Sequence, residues 1–420
     1  MAADEVKGAS LTRRELEVVA LVAQGLTNRA IAERMFISER TVDGHLEHVR
    51  EKLGVSTRTQ VATWYAARPP AGAPIVATRG SPSPRGQVSS RLLAVAALAA
   101  LALVAVIAVP RLLAHPSPTG PVLTTFAGLS STAQFNRPQS VAVGSDGSIY
   151  VADSDNFAIK RIDPKLLTIV TFAGGHDGQF VDGSDALSAS IGNPTSVAVA
   201  PDGKTIYFAN GVMVGRIDLD RTVHVVATGP MQEPVGLAFA PDDSLYIADL
   251  AGNSVWVRTP AGVLSRFAGS GQYDFAGDGG PALDASLERP RGVAVDPLGN
   301  VLIADTGSNR IRRVDLVSDV ITTIAGSSAI YGFAGDGGPA DLAKLSLPWG
   351  VAVGPDGNVY IADTGNDRVR RVTPAGKITS VVGGQGVLSG PARLAISSSG
   401  VLFIVNMGDG RLDFVRLAAR

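Results

Sequence analysis

The chain of 420 residues contains no cysteine, so neither a disulfide framework nor a thiolate metal site is available to it. Long runs of one charge are also lacking, and the formal net charge is −1. The charge is nevertheless uneven, because residues 1–91 carry a net +4 and the remainder carries −5. With 45% hydrophobic residues, the chain is long enough to bury more than one core. We therefore expect at least two domains that face different partners.

The C-terminal two thirds lacks the apolar spacing of helices and repeats one phrase instead. "IADTGSNRIRRV" begins at Ile303, and "IADTGNDRVRRV" begins at Ile361. Looser copies begin at Val151, Phe208, Ile247 and Ile404. Each copy follows a proline that opens an apolar run: Pro138, Pro194, Pro234, Pro290, Pro348 and Pro391. Spacings of 40 to 58 residues indicate a propeller or a solenoid. Short alternating runs between Asp-Gly, Thr-Gly and Ala-Gly turns predict four antiparallel strands per unit, which is a propeller blade.

The strand count predicts how the ring closes. The last unit ends after three strands, and the missing fourth has a counterpart upstream, "VLTTFAG" from Val122. Because closure removes exposed strand edges, we expect six blades over residues 122–416, with the first strand completing the last blade. These units resemble NHL repeats, including the loop "FAGDGGPA" at Phe275 and Phe333.

The basic residues of the phrase are expected to pair with acidic neighbours. Asp182, Asp278 and Asp336 mark turns, with calcium binding as the alternative.

An apolar segment separates the two parts. Residues 92–110 contain no charged residue, and ten of the 19 are Leu, Val or Ile. About 20 apolar residues span a bilayer as a helix, so the pattern predicts a single transmembrane helix. Arg79, Arg85 and Arg91 precede it and only Arg111 follows closely. The positive-inside rule then places the N-terminus in the cytoplasm and the propeller outside. Residues 67–91 are rich in Pro, Gly and Ser and predict a flexible linker, and residues 111–121 form a short stem.

The first 66 residues have helical patterning. Thr12 and Glu15 form a capping-box sequence before an apolar face, and a short second helix runs from about Asn28. Val42, Leu46, Val49 and Leu53 then define one buried stripe on a third helix. Two helices joined by a short turn, the second with a polar outer face, are typical of a helix-turn-helix. The expected fold class is thus multidomain: an all-α helix-turn-helix domain, a single transmembrane helix and an all-β six-bladed propeller.

Several motifs in order, "LTRRELEVV", "QGLTN", "ISERTV" and "KLGVSTR", closely resemble the LuxR-type (NarL/FixJ) DNA-binding domain. The resemblance implies that residues 38–52 form the recognition helix. It also implies DNA contacts at Thr27, Asn28, Ser38, Arg40, Thr41, Asp43, Gly44, Glu47, His48, Lys52 and Arg58. Family members often carry Lys where this chain has Asp43 and Glu47, and the first 65 residues hold nine basic and nine acidic side chains. Since DNA affinity depends on neutralising phosphates, we expect a weak monomeric binder.

These features together predict a membrane-anchored one-component transcriptional regulator. Its partners would be double-stranded DNA, the cell membrane through a single pass, and an unknown extracytoplasmic ligand or protein, and a homodimer on DNA would compensate for weak monomeric binding. Ligand-driven pairing and proteolytic release are both open as signalling routes. No catalytic residue, metal or cofactor is expected, because related propeller enzymes use histidine or carboxylate clusters and this propeller has only His176 and His224. One alternative is a surface binding or adhesion protein whose N-terminal domain, residues 1–66 (the head), does not read DNA. The other is a membrane-anchored propeller lyase or hydrolase.

Overall fold

The computed structural model describes a six-bladed β-propeller and part of an N-terminal helical region. Described are residues 13–23, 27–28, 31–32, 42, 46–47, 49–50, 52–53, 55, 61, 123–127, 135–163, 165–166, 168–327, 330–384 and 386–417. The chain divides into two compact units, Met1–Ile107 and Ala108–Arg420. Each unit is described by itself below.

Four concentric sets of strands build the propeller, and each set takes one strand from each blade. The innermost strands are β2 (Pro138–Val143), β7 (Ser196–Val199), β11 (Pro234–Phe239), β15 (Pro290–Val295), β19 (Pro348–Val353) and β23 (Pro391–Ile396). The second strands are β3 (Ile149–Asp153), β8 (Ile206–Ala209), β12 (Leu245–Asp249), β16 (Val301–Asp305), β20 (Val359–Asp363) and β24 (Val401–Asn406). The third strands are β4 (Ala158–Ile162), β9 (Val214–Ile217), β13 (Ser254–Arg258), β17 (Arg310–Val314), β21 (Arg368–Val372) and β25 (Arg411–Arg416). The outermost strands are β5 (Ile169–Gly174), β10 (Thr222–Ala227), β14 (Leu264–Ala268), β18 (Ile321–Ala325), β22 (Ile378–Gly383) and β1 (Leu123–Ala127).

Neighbouring strands within each blade are antiparallel, and two blades depart from the simple pattern. The second blade gains a two-residue strand, β6 (Ser184–Asp185), at its outer edge. The sixth blade has the order β1-β25-β24-β23, so its outermost strand comes from upstream of the first blade. Leu123 pairs with Val415 and Thr124 with Phe414. This confirms the predicted six-blade closure.

The propeller core lies between adjacent blades. Tyr150 and Ile159 of the first blade pack in one cluster with Val197 and Ile206 of the second. Small side chains allow this close stacking, and Ala304 and Ala362 are fully buried on the second strands of their blades. The alternating apolar pattern of the repeats therefore fills the interfaces between blades, which holds the channel-lining strands in fixed positions.

The N-terminal unit contains one complete helix among its described residues, α1 (Arg13–Ala23). It begins one residue after Thr12, which lies outside the described residues. Val18, Val19 and Val22 of α1 are buried in a cluster with Val42, Leu46 and Val49. Leu53 packs against the same cluster. The predicted apolar stripe at positions 42, 46, 49 and 53 is thus confirmed.

The predicted fold class is wrong as a description of this structure. The described residues form an all-β propeller with a single complete helix of 11 residues, so the all-α head and the membrane-spanning helix are not seen. Within the described part of the chain, no helix has the length and apolarity needed to cross a membrane. At 1.5 Å per residue, α1 covers about 16 Å of a hydrocarbon layer of about 30 Å. Residues 92–110 lie outside the described residues. The hydropathy of a segment indicates the environment that it prefers, but it does not by itself determine the backbone conformation.

Candidate functional site

Counted from the proline of each repeat as the first residue, the third residue lies where the innermost strands approach each other around the channel. Ser140 and Ser196 occupy it in the first two blades, and their hydroxyl oxygens accept the N–H groups of Val197 and Leu237 at 3.2 Å each. The next three blades have glycine there. A Cβ on Gly236 would lie 2.2 Å from the Arg291 carbonyl oxygen, so this close approach needs glycine.

The sixth blade places Arg393 at the same position. Its guanidinium crosses the channel and donates to three backbone carbonyl oxygens, those of Val235 (2.7 Å), Arg291 (2.5 Å) and Trp349 (3.1 Å). These carbonyls belong to β11, β15 and β19, so one side chain ties the sixth blade to the third, fourth and fifth. Burial lowers the pKa of Arg393 to about 9, and the nearby Arg291 adds to the effect. Arg393 therefore stays cationic at neutral pH.

A second arginine lies beside this bridge. The Arg291 guanidinium stands over the Trp349 ring, with 4.1 Å from its central carbon to the ring centroid. Burial and then the charge of Arg289 lower the pKa of Arg291, while Glu233 opposes them. Arg291, Trp349 and Arg393 all lie near the N-terminal ends of the innermost strands. We name these three residues the arginine cluster.

The opposite end of the channel has a different character. A cavity of about 330 Å³ opens where the innermost strands end. Prolines from four blades line it, namely Pro201, Pro241, Pro297 and Pro355, together with Phe239. Asp296 also lines this cavity, and its carboxylate lies 3.9 Å from Arg313. The channel therefore has one cationic end and one apolar end.

Buried aspartates at the ends of the second strands anchor the loops between blades. Asp305 accepts hydrogen bonds from the Glu288 N–H and the Ser308 hydroxyl, each at 2.6 Å. Asp363 accepts the Ser346 N–H at 2.7 Å. Burial raises the pKa of both carboxyls to about 6, against the opposing effect of these hydrogen bonds and of nearby arginines. In the sixth blade Asn406 takes the same place and accepts the Ser389 N–H at 2.7 Å. The "AD" of the repeated phrase thus has a structural role.

The two "FAGDGGPA" loops supply the predicted acidic partner to the central arginine of each phrase, whereas Arg310 and Arg368 stack on the loop phenylalanines. Arg312 is fully buried and pairs with Asp278 at 2.8 Å, and Arg370 pairs with Asp336 at 2.7 Å. The rings of the loops also stack on these cations, as shown by Phe275, whose ring centroid lies 4.7 Å from Arg312. Two of the three aspartates with calcium as the alternative, Asp278 and Asp336, are therefore paired with guanidinium groups.

The remaining candidate residues of the propeller lie away from the channel. Asp182 accepts the Val225 N–H at 2.7 Å and lies 3.4 Å from His224, which is on an outermost strand. His176 is exposed in the loop after β5. The described residues contain no grouping of acidic or histidine side chains suited to a metal ion.

Only four of the predicted DNA-contacting residues fall among the described ones. Thr27 is exposed, and its carbonyl accepts the Ile31 N–H at 2.9 Å. Asn28 is half-buried and helical, whereas Glu47 is helical and exposed. The Lys52 ammonium donates to both carboxylate oxygens of the buried Glu15, at 2.8 Å each. Outside the described residues lie Ser38, Arg40, Thr41, Asp43, Gly44, His48 and Arg58. The DNA contacts of all eleven residues stay predictions.

Sequence reasoning missed the arginine cluster, although a signal was present. Aligned on their prolines, the six innermost strands read Ser, Ser, Gly, Gly, Gly and Arg at the third position. A long, positively charged side chain at a position that is otherwise serine or glycine indicates that the sixth blade makes a contact there that the other blades do not make. Its three carbonyl partners could not be read from the sequence, because they lie 44 to 158 residues away.

Comparisons with known families agree with both parts of this description. Residues 9–65 match the family described as bacterial regulatory proteins, luxR family. Residues 135–162 and 345–371 match the NHL repeat. Residues 270–334 match the teneurin NHL domain. The matches cover the head and three stretches of the propeller.

The chain is similar to proteins with different names, by sequence in one case and by fold in two. The chain is 27% identical over 276 residues to SUPPRESSOR OF QUENCHING 1, a chloroplastic protein of Arabidopsis thaliana, covering 58% of this chain and 26% of that protein. An auxiliary nutrient binding protein from Bacteroides thetaiotaomicron has a TM-score of 0.54 at 13% identity, covering 70% and 75% of the two chains. A gluconolactonase from Xanthomonas campestris has a TM-score of 0.51 at 16% identity, covering 71% and 90%. Both structures share the fold alone. This chain therefore combines a luxR-family sequence match at residues 9–65 with a six-bladed β-propeller that contains NHL repeats.

Proposed function

We propose that the chain is a one-component transcription regulator, in which residues 9–65 bind double-stranded DNA and the propeller binds a ligand or protein partner. The match of residues 9–65 to the luxR family carries this proposal. The described contacts support it. Val42, Leu46 and Val49 are buried against α1, whereas Glu47, between them in the sequence, is exposed. A helix held by one face presents its other face to the major groove.

For the propeller we propose recognition without catalysis. A propeller fold serves binding proteins and enzymes alike, so the fold does not decide between them. The channel centre supports binding, because it is occupied by Arg393 and its carbonyl partners. Neither of the two propeller histidines is on an innermost strand. An arginine that stays cationic at neutral pH is a poor acid or base there.

Signal transfer would follow from proximity between two chains. Two weak DNA-binding heads that are brought together reach a high effective concentration and engage adjacent half-sites. Ligand-driven pairing of propellers is the route we propose, with proteolytic release of the head as the other route. The location in the cell membrane stays a prediction, and cell fractionation followed by protease protection of the propeller tests it.

Selection from a random pool of double-stranded DNA with the full-length chain tests the DNA-binding claim. We expect one enriched motif, which Arg40→Ala loses. Glu47→Lys should raise non-specific affinity and steepen the slope of log K against log salt by about 1, because one more phosphate is neutralised. Asp341→Lys makes the same charge change in an exposed propeller turn and should leave the slope unchanged. No enrichment by the parent chain would refute the proposal.

A further inference from the structure

We propose that the arginine cluster, Arg291, Trp349 and Arg393, binds the carboxylate or phosphate group of a small organic anion at its end of the channel. The inference rests on the proposed sensing role of the propeller and gives the chemical class of its ligand. Three steps lead to it: the fixed position of Arg393, the free hydrogen-bonding capacity of Arg291, and the charge balance around both.

The first step is that Arg393 is held in place. Three of its N–H groups point at carbonyl oxygens of three other blades, and a guanidinium has five in all. Carbonyl dipoles satisfy hydrogen bonds without cancelling the net charge. Arg393 thus supplies a fixed positive charge in the channel, together with spare donors.

The second step concerns Arg291. Its guanidinium donates no hydrogen bond to any residue in the described part of the chain, and it forms no ion pair there. It is positioned only by stacking on Trp349. The planar fork of an arginine that is already oriented by an aromatic ring loses little freedom when it binds an oxyanion in a bidentate manner. Arg291 is therefore the residue that would contact the ligand.

The third step is the lack of compensation. The two fully buried arginines of the propeller have acidic partners, since Arg312 faces Asp278 and Asp305, and Arg370 faces Asp336 and Asp363. Arg291 and Arg393 have no such partner among the described residues, and Glu233 acts on Arg291 only at a distance. Placing two like charges close together in a partly buried position is unfavourable unless an opposite charge joins them. An oxyanion between them would remove that cost.

The apolar end of the channel is the less suitable place for such a ligand. Prolines and Phe239 line it, and its carboxylate, Asp296, would repel an anion. In contrast, the arginine cluster combines two cations with the Trp349 ring, which can contact the apolar part of an organic anion. The charge distribution therefore assigns the anion to the N-terminal ends of the innermost strands.

Calorimetric titration of the full-length chain tests the inference, with citrate, inorganic phosphate and chloride at equal ionic strength. We expect citrate to bind, and Arg291→Gln to weaken its affinity roughly tenfold or more through loss of a charge-assisted pair. The citrate affinity of Arg291→Lys should lie between those of the parent and Arg291→Gln, because lysine keeps the positive charge but lacks the planar fork of donors. Arg266→Gln is the matched control, since Arg266 also stands over a tryptophan, Trp256, but is exposed on an outermost strand.

Binding of phosphate as tightly as citrate would assign the site to inorganic phosphate. No binding of either anion by the parent chain, or equal affinity in Arg291→Gln, would overturn the inference. Near-ultraviolet circular dichroism checks that the variants are folded. If Arg291→Gln is not folded, the affinity of Arg291→Lys decides the test. DNA binding is measured on the same samples. Absent anion binding with intact DNA binding refutes this inference alone, whereas absent DNA binding refutes the proposed function.

Discussion

Single side chains decide how the blades of this propeller are held together. Arg393 replaces the serine or glycine of the other five blades and donates to carbonyls on three of them. Hydrogen bonds from a charged donor contribute about 1.5–3 kcal/mol each to stability, and burial of the charge offsets part of this. The net effect of the arginine should remain stabilising, because within the described part of the chain no other side chain donates to the three carbonyls that it contacts.

Arg393→Ser should therefore lower the free energy of unfolding by about 2 kcal/mol, since three carbonyl partners are lost together. Urea denaturation followed by fluorescence measures the change. Ser196→Gly is the control at the equivalent position, where a single neutral hydrogen bond from Leu237 is lost, and it should cost about 1 kcal/mol. An Arg393→Ser variant as stable as the parent would show that the arginine is not a brace.

The buried aspartates give a pH dependence of known sign. The pKa of Asp305 is about 6 in the folded chain, above its ordinary value of 3.8. The folded state therefore holds a proton that the unfolded state has released between these values, so stability falls as pH rises from about 4 to about 6. Relative to Asp305→Asn, the parent should lose about 2 kcal/mol over that range. Thermal unfolding at both pH values measures this, Asp363→Asn should behave alike, and parallel profiles for parent and variants would contradict it.

At the scale of elements, the ring depends on one strand from far upstream. β1 pairs with β25 and completes the sixth blade. The ring centroid of Phe126 lies 5.7 Å from that of Phe403 and 5.8 Å from that of Phe414. Edge-to-face ring pairs add to the apolar burial of such a strand. The closing strand is thus held by backbone pairing and by a small aromatic cluster.

Phe126→Ala should destabilise the propeller by about 2 kcal/mol, less than for a fully buried phenylalanine because Phe126 is only partly buried. Thr124→Ala on the same strand changes an exposed side chain and should stay within about 0.5 kcal/mol. Limited proteolysis should cut the C-terminal strands faster in Phe126→Ala and in a chain lacking residues 122–128. Equal cleavage rates in all variants would mean that β1 does not close the ring.

The repeated elements were predictable from the sequence, and their exceptions were not. Pro138 and its five counterparts mark the innermost strands, and the missing last strand predicted closure by residues 122–128, because pairing rules act locally and repeat in every blade. Arg393 depends on contacts between residues far apart in the chain, which no local pattern encodes. The predicted fold class was wrong for the described residues, which show neither an all-α head nor a membrane-spanning helix, and residues 92–110 lie outside them.

For the whole molecule, the proposed function pairs a DNA-binding region at residues 9–65 with a ligand-binding propeller. The luxR match defines the first part, and the arginine cluster gives the second a chemical preference for anions. Coupling between the two by proximity requires no rigid contact between them. Ten Gly/Ser residues inserted after Ser83 should therefore leave ligand-responsive transcription largely intact, as measured with a reporter gene. Loss of the response at unchanged protein levels would contradict coupling by proximity.

Chromatin capture of the tagged full-length chain, with sequencing of the bound DNA, tests the central claim most directly. The account predicts reproducible peaks at a limited set of promoters, which disappear in Arg40→Ala and persist in Arg393→Ser if that variant is expressed at the parent's level. Transcripts from the same promoters should change when the chain is deleted. The absence of peaks above background in the parent, or identical peaks in Arg40→Ala, would contradict the claim that residues 9–65 read DNA.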